Sequence, residues 1–303
     1  MKKRGITLNW NKVLNVFIII FLGFNLLLFM NQKNYESERY VMSDSRVRQM
    51  ERVLNERGIG IYTYIPGYYP QTQLRLESPT LDKDNIIQRV LGEVYESRLD
   101  NDYFAERIFN EDQELTFYMG EQKGMMYYKL KDGAKAYAPE DLTDASIRKV
   151  ILQFSEDLFG EDTNMQPTYW KEVDGEGYRI ELNESYKGNL IFQSYIKLYI
   201  TMNGIEEALA IRYKPIEFSG DKQNVYPFDE VIYNLMYYLE EEYSESQIEQ
   251  SGRRTIRYID VGYYVVDEGA RNLTFRADPY YRVIFEDGDV YYINAYSNVI
   301  YKL

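Results

Sequence analysis

Any chemistry in this chain is done without thiols or imidazoles, because its 303 residues include no Cys and no His. That removes disulfides, thiol nucleophiles, Cys-ligated metals and every mechanism built on a catalytic His, from zinc hydrolysis to Ser-His-Asp acyl transfer. Carboxylates remain. Glu156, Asp157, Glu161 and Asp162 form one acidic run, and Glu240, Glu241, Glu242 and Glu245 form another. Such groups can hold calcium or flank a glycosidic bond. Neither run has the alternating ligand spacing of an EF-hand, and both are expected to be solvated faces at helix ends. Asp287-Gly288-Asp289 suits a metal loop, but a hairpin turn needs the same residues, and the turn is the expectation. Arg253, Arg254 and Arg257 could offer a small anion site, although charged residues pointing outward from a strand account for them more simply. Asn183-Glu184-Ser185 and Asn272-Leu273-Thr274 match the glycosylation pattern, as chance alone would produce. Glycines are scattered in turns, with neither a GxGxxG nor a P-loop. No catalytic residue, metal ligand or cofactor is assigned.

The 32 tyrosines are the other chemical resource. Pairs occur at 68/69, 127/128, 263/264, 280/281 and 291/292. They could line a groove for a peptide or a glycan. Adjacent residues of a strand point to opposite faces, so one ring of each pair is expected in the core.

Four amphipathic helices and several runs of short strands must position these groups. The spacing predicts helices over 43–58, 82–91, 144–158 and 228–243, from their apolar stripes and bounding cap or glycine residues. Ile59–Pro66 reads as a strand. Residues 103–139, 168–218 and 254–296 read as antiparallel strands separated by acidic or Gly-containing turns. The expected class is α+β, with an N-terminal transmembrane helix followed by helices packed on antiparallel sheets in two similar subdomains. The expected division is a cytoplasmic basic segment (1–12), the transmembrane helix (13–31), a polar stalk (32–42), and extracytoplasmic domains over 43–140 and 141–303. Residue 160 is an alternative boundary, and a single intertwined unit is a further alternative.

The anchor is read from residues 1–31. Val13–Met30 carries no charge and is apolar apart from Asn15, Asn25 and Gly23. With the residues back to Leu8 it is long enough to cross a hydrocarbon core of about 30 Å, which takes roughly 20 residues. Lys2, Lys3, Arg4 and Lys12 precede the apolar run and no acid does, which places the N-terminus in the cytoplasm. The remainder holds 31 basic and 48 acidic residues, a net charge of −17. That balance disfavours nucleic acid and anionic membrane surfaces as partners. A cleaved signal peptide would show a small-x-small exit where this chain reads FMNQKNYESE, and a buried core helix needs no one-sided basic flank. Trp10 falls where an interfacial aromatic is expected. Asn15 and Asn25 are amides at membrane depth, whose cost falls if they bond to a partner helix. These three residues are the candidate transmembrane contacts.

LNWNKVLNVFIIIFLGFNLLLF, near the N-terminus, resembles the anchor of the YycI proteins. IDVGYYVV and PYYRVIFEDGDVYYINAY resemble that family's C-terminal pattern, and the last strands are also similar to small extracytoplasmic PepSY-type modules. The resemblance implies a non-catalytic regulator in the cell membrane of a Gram-positive bacterium. Its implied partners are a YycH-type protein and the sensor histidine kinase of WalK/YycG type, part of a two-component system that controls cell-wall metabolism. It also implies that transmembrane helices carry much of the contact. Three other functions remain open: an extracytoplasmic peptide- or glycan-binding module tethered to the membrane, a carboxylate glycosidase, and an assembly factor. A contiguous exposed aromatic groove would favour the binding module. Two acids facing each other across a cleft would favour the glycosidase.

Overall fold

The computed structural model describes residues 10–101, 103–119, 124–242, 254–265 and 274–302. Lys2, Lys3, Arg4, Glu245, Arg253 and Asn272 lie outside the described residues. The first element, α1 (Trp10–Arg39), is a helix of 30 residues, about 45 Å long at 1.5 Å per residue. Its segment Val13–Met30 has a mean hydropathy of 2.6 and none of it is buried, so it is long and apolar enough to cross a membrane. The polar stalk expected over 32–42 is mostly helix instead. Residues 31–39 contain neither Pro nor Gly, so the helix begun in the apolar segment continues through them at little cost.

Beyond α1, the chain runs as four groups, each a helix followed by strands. The first unit is α2 (Asp44–Glu56), β1 (Ile59–Ile61) and β2 (Gln71–Glu77). The second is α3 (Lys83–Val90), β3 (Glu96–Asp100), β4 (Ala105–Phe109), β5 (Gln113–Tyr118) and β6 (Met125–Leu130). The third is α4 (Asp144–Phe159), β7 (Met165–Val173), β8 (Gly177–Tyr186), β9 (Asn189–Thr201), β10 (Gly204–Ile211) and β11 (Pro215–Gln223). The last is α5 (Phe228–Glu242), β12 (Arg254–Val265), β13 (Thr274–Phe285), β14 (Val290–Asn294) and β15 (Ile300–Lys302). The four predicted helices are present within two residues of their expected ends. Asp82 caps α3 by accepting from the Asn85 N–H, and Thr143 caps α4 by accepting from the Ser146 N–H. Gly160 ends α4 with φ of +87°. The strand expected over 59–66 is only three residues long, pairing in parallel with the start of β12. The chain beyond it runs as a loop into Pro66 and Gly67.

All fifteen strands among the described residues join one mixed sheet, which resolves into two arrays. The central array is antiparallel throughout, in the order β3-β4-β5-β6-β10-β9-β8-β7. The other is built on the β12-β13 pair, with β2 and β14 following one another along the far edge of β13. Strand β9 belongs to both. Its second half pairs with β10, and Leu190 and Ile191 in its first half pair with Gly262 and Tyr263 of β12. Gly262 permits that approach, because a Cβ there would lie 2.8 Å from the Leu190 carbonyl oxygen and 2.7 Å from the Phe192 ring.

Each array is covered by helices on one face. Ile86, Ile87 and Val90 of α3 and Ile147, Ile151, Phe154 and Leu158 of α4 are buried on the central array. Phe154 stands edge-on to the rings of Tyr128 and Tyr137, with centroids 5.2 and 4.9 Å away. Full burial of each such side chain is worth about 1.5–3 kcal/mol. Met50 and Leu54 of α2 and Phe228, Val231 and Leu235 of α5 form the second core against β12, β13 and β14. These cores do not divide at 140/141 as expected. Helix α4 shares a core with residues 86–130, while α2 and β1 share theirs with the C-terminal strands. The chain leaves one core for the other and then returns.

Tyrosine hydroxyls are satisfied inside these cores. Tyr281 donates to the Tyr226 carbonyl at 2.8 Å and Tyr263 to that of Thr72 at 2.9 Å. Burial disfavours the phenolate. It pushes Tyr280 and Tyr296 up to about 12, and raises Tyr128, Tyr263, Tyr281 and Tyr292 further still. An unfolded tyrosine titrates near pH 10. A folded pKa above that value gives stability that is fully present below about pH 10 and lost as pH rises through about 12. The melting temperature is therefore expected to hold up to about pH 10 and fall steeply above it. Tyrosinate absorbance should rise in two stages, exposed rings first and buried rings together with unfolding. A single stage near pH 10 with unchanged circular dichroism would contradict this.

Candidate functional site

Among the described residues, no helix lies over the face of the central array turned away from α3 and α4. Alternation along the strands sends one set of side chains there and the intervening set into the core. Tyr127 faces the open side while Tyr128 is buried, and Glu181 and Lys197 face it while Ile180, Leu182, Ile196 and Leu198 are buried. The open side holds a groove of about 490 Å³. Tyr118 and Tyr127 line one side and Tyr169 the other, with Arg179, Glu181, Lys197 and Glu207 between them. The Tyr127 hydroxyl donates to Glu207 at 3.1 Å, and burial together with that carboxylate pushes its pKa up to about 12. The ring of Tyr169 stands edge-on to that of Tyr258 on β12, 5.5 Å between centroids.

Beside the groove lies the one fully buried guanidinium among the described residues. Arg282 on β13 has a side chain that is 1% exposed. Its Nη2 donates to Asp260 on β12 at 2.7 Å. Its Nη1 donates to Glu181 at 2.6 Å and to Asn183 at 3.0 Å, both on β8. Its guanidinium lies over the Phe192 ring, 4.7 Å from the centroid. Burial opposes its charge, but Asp260 and Glu181 outweigh that and raise its pKa above the ordinary arginine value. Glu181 thus serves both places: Oε1 holds Arg282, and Oε2 faces the Lys197 ammonium at 3.6 Å.

The tyrosine pairs divide as alternation requires. Tyr263, Tyr281 and Tyr291 pack on α-helical or inter-strand cores, while Tyr264, Tyr280 and Tyr292 cluster with Phe192 on the opposite face. Three members of the acidic runs have structural partners. Asp157 accepts from the Tyr137 hydroxyl, Glu240 pairs with Arg57 and Glu242 with Lys302. Asp287 and Asp289 flank the β13–β14 turn and pair with Arg254 at 2.9 and 2.7 Å, and Arg257 pairs with Glu286. Asn183 is fully buried on Arg282, which removes it as a glycosylation acceptor.

Trp10, Asn15 and Asn25 are spread along α1 and do not meet. Ten residues separate the two amides, about 15 Å along the axis and roughly 80° around it. All three are exposed. The Asn25 amide donates one N–H to the Phe21 carbonyl one turn back, at 2.8 Å, so its second N–H and its oxygen are what an outside partner would meet. A joint at the other end of α1 gave no signal in the sequence beyond its density of tyrosines. Tyr68 donates its N–H to the Tyr40 carbonyl and its hydroxyl to that of Arg39, both at 2.9 Å. The Tyr40 ring lies 5.9 Å from that of Tyr68 and 5.8 Å from that of Tyr69. Three residues later α2 begins, and its Arg46 is paired with the buried Asp229 of α5.

No family model and no curated protein matches the chain. Among solved structures it is similar to an uncharacterized protein from Eubacterium rectale, with 11% identity, a TM-score of 0.46 and coverage of 81% of this chain and 90% of that one. It is also similar to the C-terminal domain of YpeB from Bacillus megaterium, with 10% identity, a TM-score of 0.36 and coverage of 73% and 95%. Neither likeness carries an argument about function.

Replacing Arg282 by Met leaves Asp260 and Glu181 facing each other without their cation. Breaking a buried pair in this way costs about 3–5 kcal/mol. For a body of this size the melting temperature is expected to fall by about 6–20 °C. The triple variant R282M/D260N/E181Q, which removes the charges together, should recover part of that loss. Equal melting temperatures for Arg282→Met and the natural chain would show that the node holds nothing together.

Proposed function

We propose that this chain is a non-catalytic, single-pass regulator of a sensor histidine kinase. The kinase is of the WalK/YycG type that the YycI resemblance implies, and a YycH-type protein acts beside it. In this reading α1 crosses the cell membrane with its N-terminus in the cytoplasm, the remaining residues lie outside, and the regulated process is cell-wall metabolism. The observation that carries the reading is the joint at Tyr40. A passive tether needs only a hydrophobic segment and a loose linker. Here the helix runs unbroken from its apolar segment to Arg39 and is then fastened to the body by two hydrogen bonds and two ring contacts. Axial or rotational displacement of α1 is thereby passed to α2, and through the Arg46–Asp229 pair to α5. The exposed face of α1, with Trp10, Asn15 and Asn25, is where partner helices are proposed to pack.

Two measurements on full-length protein test separate parts of this reading. An interhelical hydrogen bond in a membrane is worth about 0.6–2 kcal/mol. Exchanging Asn15 and Asn25 for Leu should therefore weaken association with the kinase roughly three- to thirtyfold per bond lost, read as co-purification from membranes. Unchanged recovery would sink the amide contact. Gly67→Ala acts on the joint alone, because the added Cβ would lie 2.5 Å from the Tyr69 ring and 3.2 Å from the Tyr40 carbonyl oxygen. Tyr69 is partly exposed and can swing away, so folding and kinase recovery should stay at natural levels. Kinase autophosphorylation in the reconstituted complex should change. Equal autophosphorylation with either protein would show that the joint transmits nothing.

A further inference from the structure

We infer that the groove on the helix-free face of the central array is a binding site for an uncharged oligosaccharide, independent of the proposed kinase partnership. Its size, about 490 Å³, falls within the range of roughly 300–1,000 Å³ usual for small-ligand sites. The walls are rings. Tyr118 and Tyr127 stand on adjacent strands, and Tyr169 faces them from β7. The floor between them carries Arg179, Lys197, Glu181 and Glu207, two charges of each sign, with the partly buried Leu209 among them.

That floor decides the class of ligand. An apolar peptide side chain set on it would strip water from four charges and return no hydrogen bonds. A polyanion would meet the carboxylates of Glu181 and Glu207 on the same floor, the first already facing Lys197 at 3.6 Å, in a chain whose net charge is −13. A polycation would compete with Lys197 for Glu181 and with the Tyr127 hydroxyl for Glu207. A neutral sugar avoids each penalty. Its hydroxyls donate to the carboxylates and accept from the guanidinium and ammonium, so the charges exchange water for hydrogen bonds of equal polarity. Its C–H faces pack on the tyrosine rings, which are apolar in body and polar at the tip. Two of the floor groups are held in place by contacts of their own. Lys197 lies 4.7 Å from the Tyr195 ring centroid, and Glu181 is fixed by Arg282. Because Glu181 also closes the junction between the two arrays, a sugar hydroxyl donating to its Oε2, the oxygen turned toward Lys197, acts on that junction directly.

The test uses the full chain in lipid nanodiscs, since alkyl-glycoside detergents would compete. Tetra-N-acetylchitotetraose and maltotetraose serve as neutral probes, tetragalacturonate as the anionic probe, and binding is read by calorimetry. Saturable binding of at least one neutral probe is expected, with no binding of tetragalacturonate. Tyr169→Ala should weaken it about tenfold through loss of the ring face. Glu207→Gln, which keeps an acceptor for the Tyr127 hydroxyl, should weaken it as well, with circular dichroism unchanged in both variants. The inference is overturned if neither neutral probe binds folded protein, if tetragalacturonate binds more tightly than both, or if the two variants bind as the natural chain does.

Discussion

A guanidinium with no access to water has to be neutralised where it lies, and that requirement fixes how the two halves of this molecule meet. Arg282 projects from the centre of β13 into a space closed by Phe192, and the groups that answer its charge come from two different arrays. Asp260 is its cross-strand neighbour on β12. Glu181 and Asn183 belong to β8, which reaches β12 only through β9. The direct backbone pairing between the arrays is two residues long, Leu190 and Ile191 against Gly262 and Tyr263. So short a ladder would leave their relative twist loosely set. The ion pairs on Arg282, with the Tyr258 hydroxyl donating to the Trp170 carbonyl at 3.1 Å, supply further points of attachment, and several points define an orientation that one does not.

The division into a covered and an open face follows from the same architecture. Each array buries the side that its helices cover, and strand alternation then sends an equal number of side chains to the other side. On the C-terminal array that side is filled by Tyr264, Tyr280, Tyr292 and Phe192, which pack on one another beside Arg282. On the central array the open side holds separated tyrosines with charged residues between them. The abundance of tyrosine is intelligible on this basis. The residue closes a core when its hydroxyl finds a carbonyl, as Tyr281 and Tyr263 do, and it stands at a wet surface when its hydroxyl finds a side chain, as Tyr127 does.

What was legible in the sequence was local. The helices were visible because each has an apolar stripe, bounded for the first three by a terminal glycine, as at Gly92 and Gly160; the helix over 228–243 was read from its stripe alone. Asp287-Gly288 marked the β13–β14 turn, and the doubled tyrosines announced one ring on each face. Non-local arrangements were not legible. Nothing in residues 43–61 indicates that they share a core with residues 228–293, because their stripes are apolar and suit any apolar surface. The groove gathers side chains from six strands of the middle of the chain, and its charged members look in the sequence like ordinary strand surface. Arg282 had a faint signal, a lone cation inside PYYRVIF, a run otherwise apolar or aromatic. Its partners, about 20 and 100 residues earlier, could not be read from that run.

The α1 end of the chain changes meaning once the helix boundary is known. A polar segment between a span and a folded body normally reads as a flexible spacer, and flexibility would isolate the body from anything the span does. Here the polar segment is the last two and a half turns of α1, and a helix resists bending and twisting over that length. The Tyr68 hydrogen bonds then take up the carbonyls of Arg39 and Tyr40, where a frayed helix end would otherwise be solvated. Only Val41, Met42 and Ser43 separate this joint from α2, and Met42 is itself buried in the core that α2 and α5 share. Between the end of α1 and the core that α2 and α5 share there are thus only four residues, Tyr40 to Ser43, two of them already held by the Tyr68 hydrogen bond and by burial.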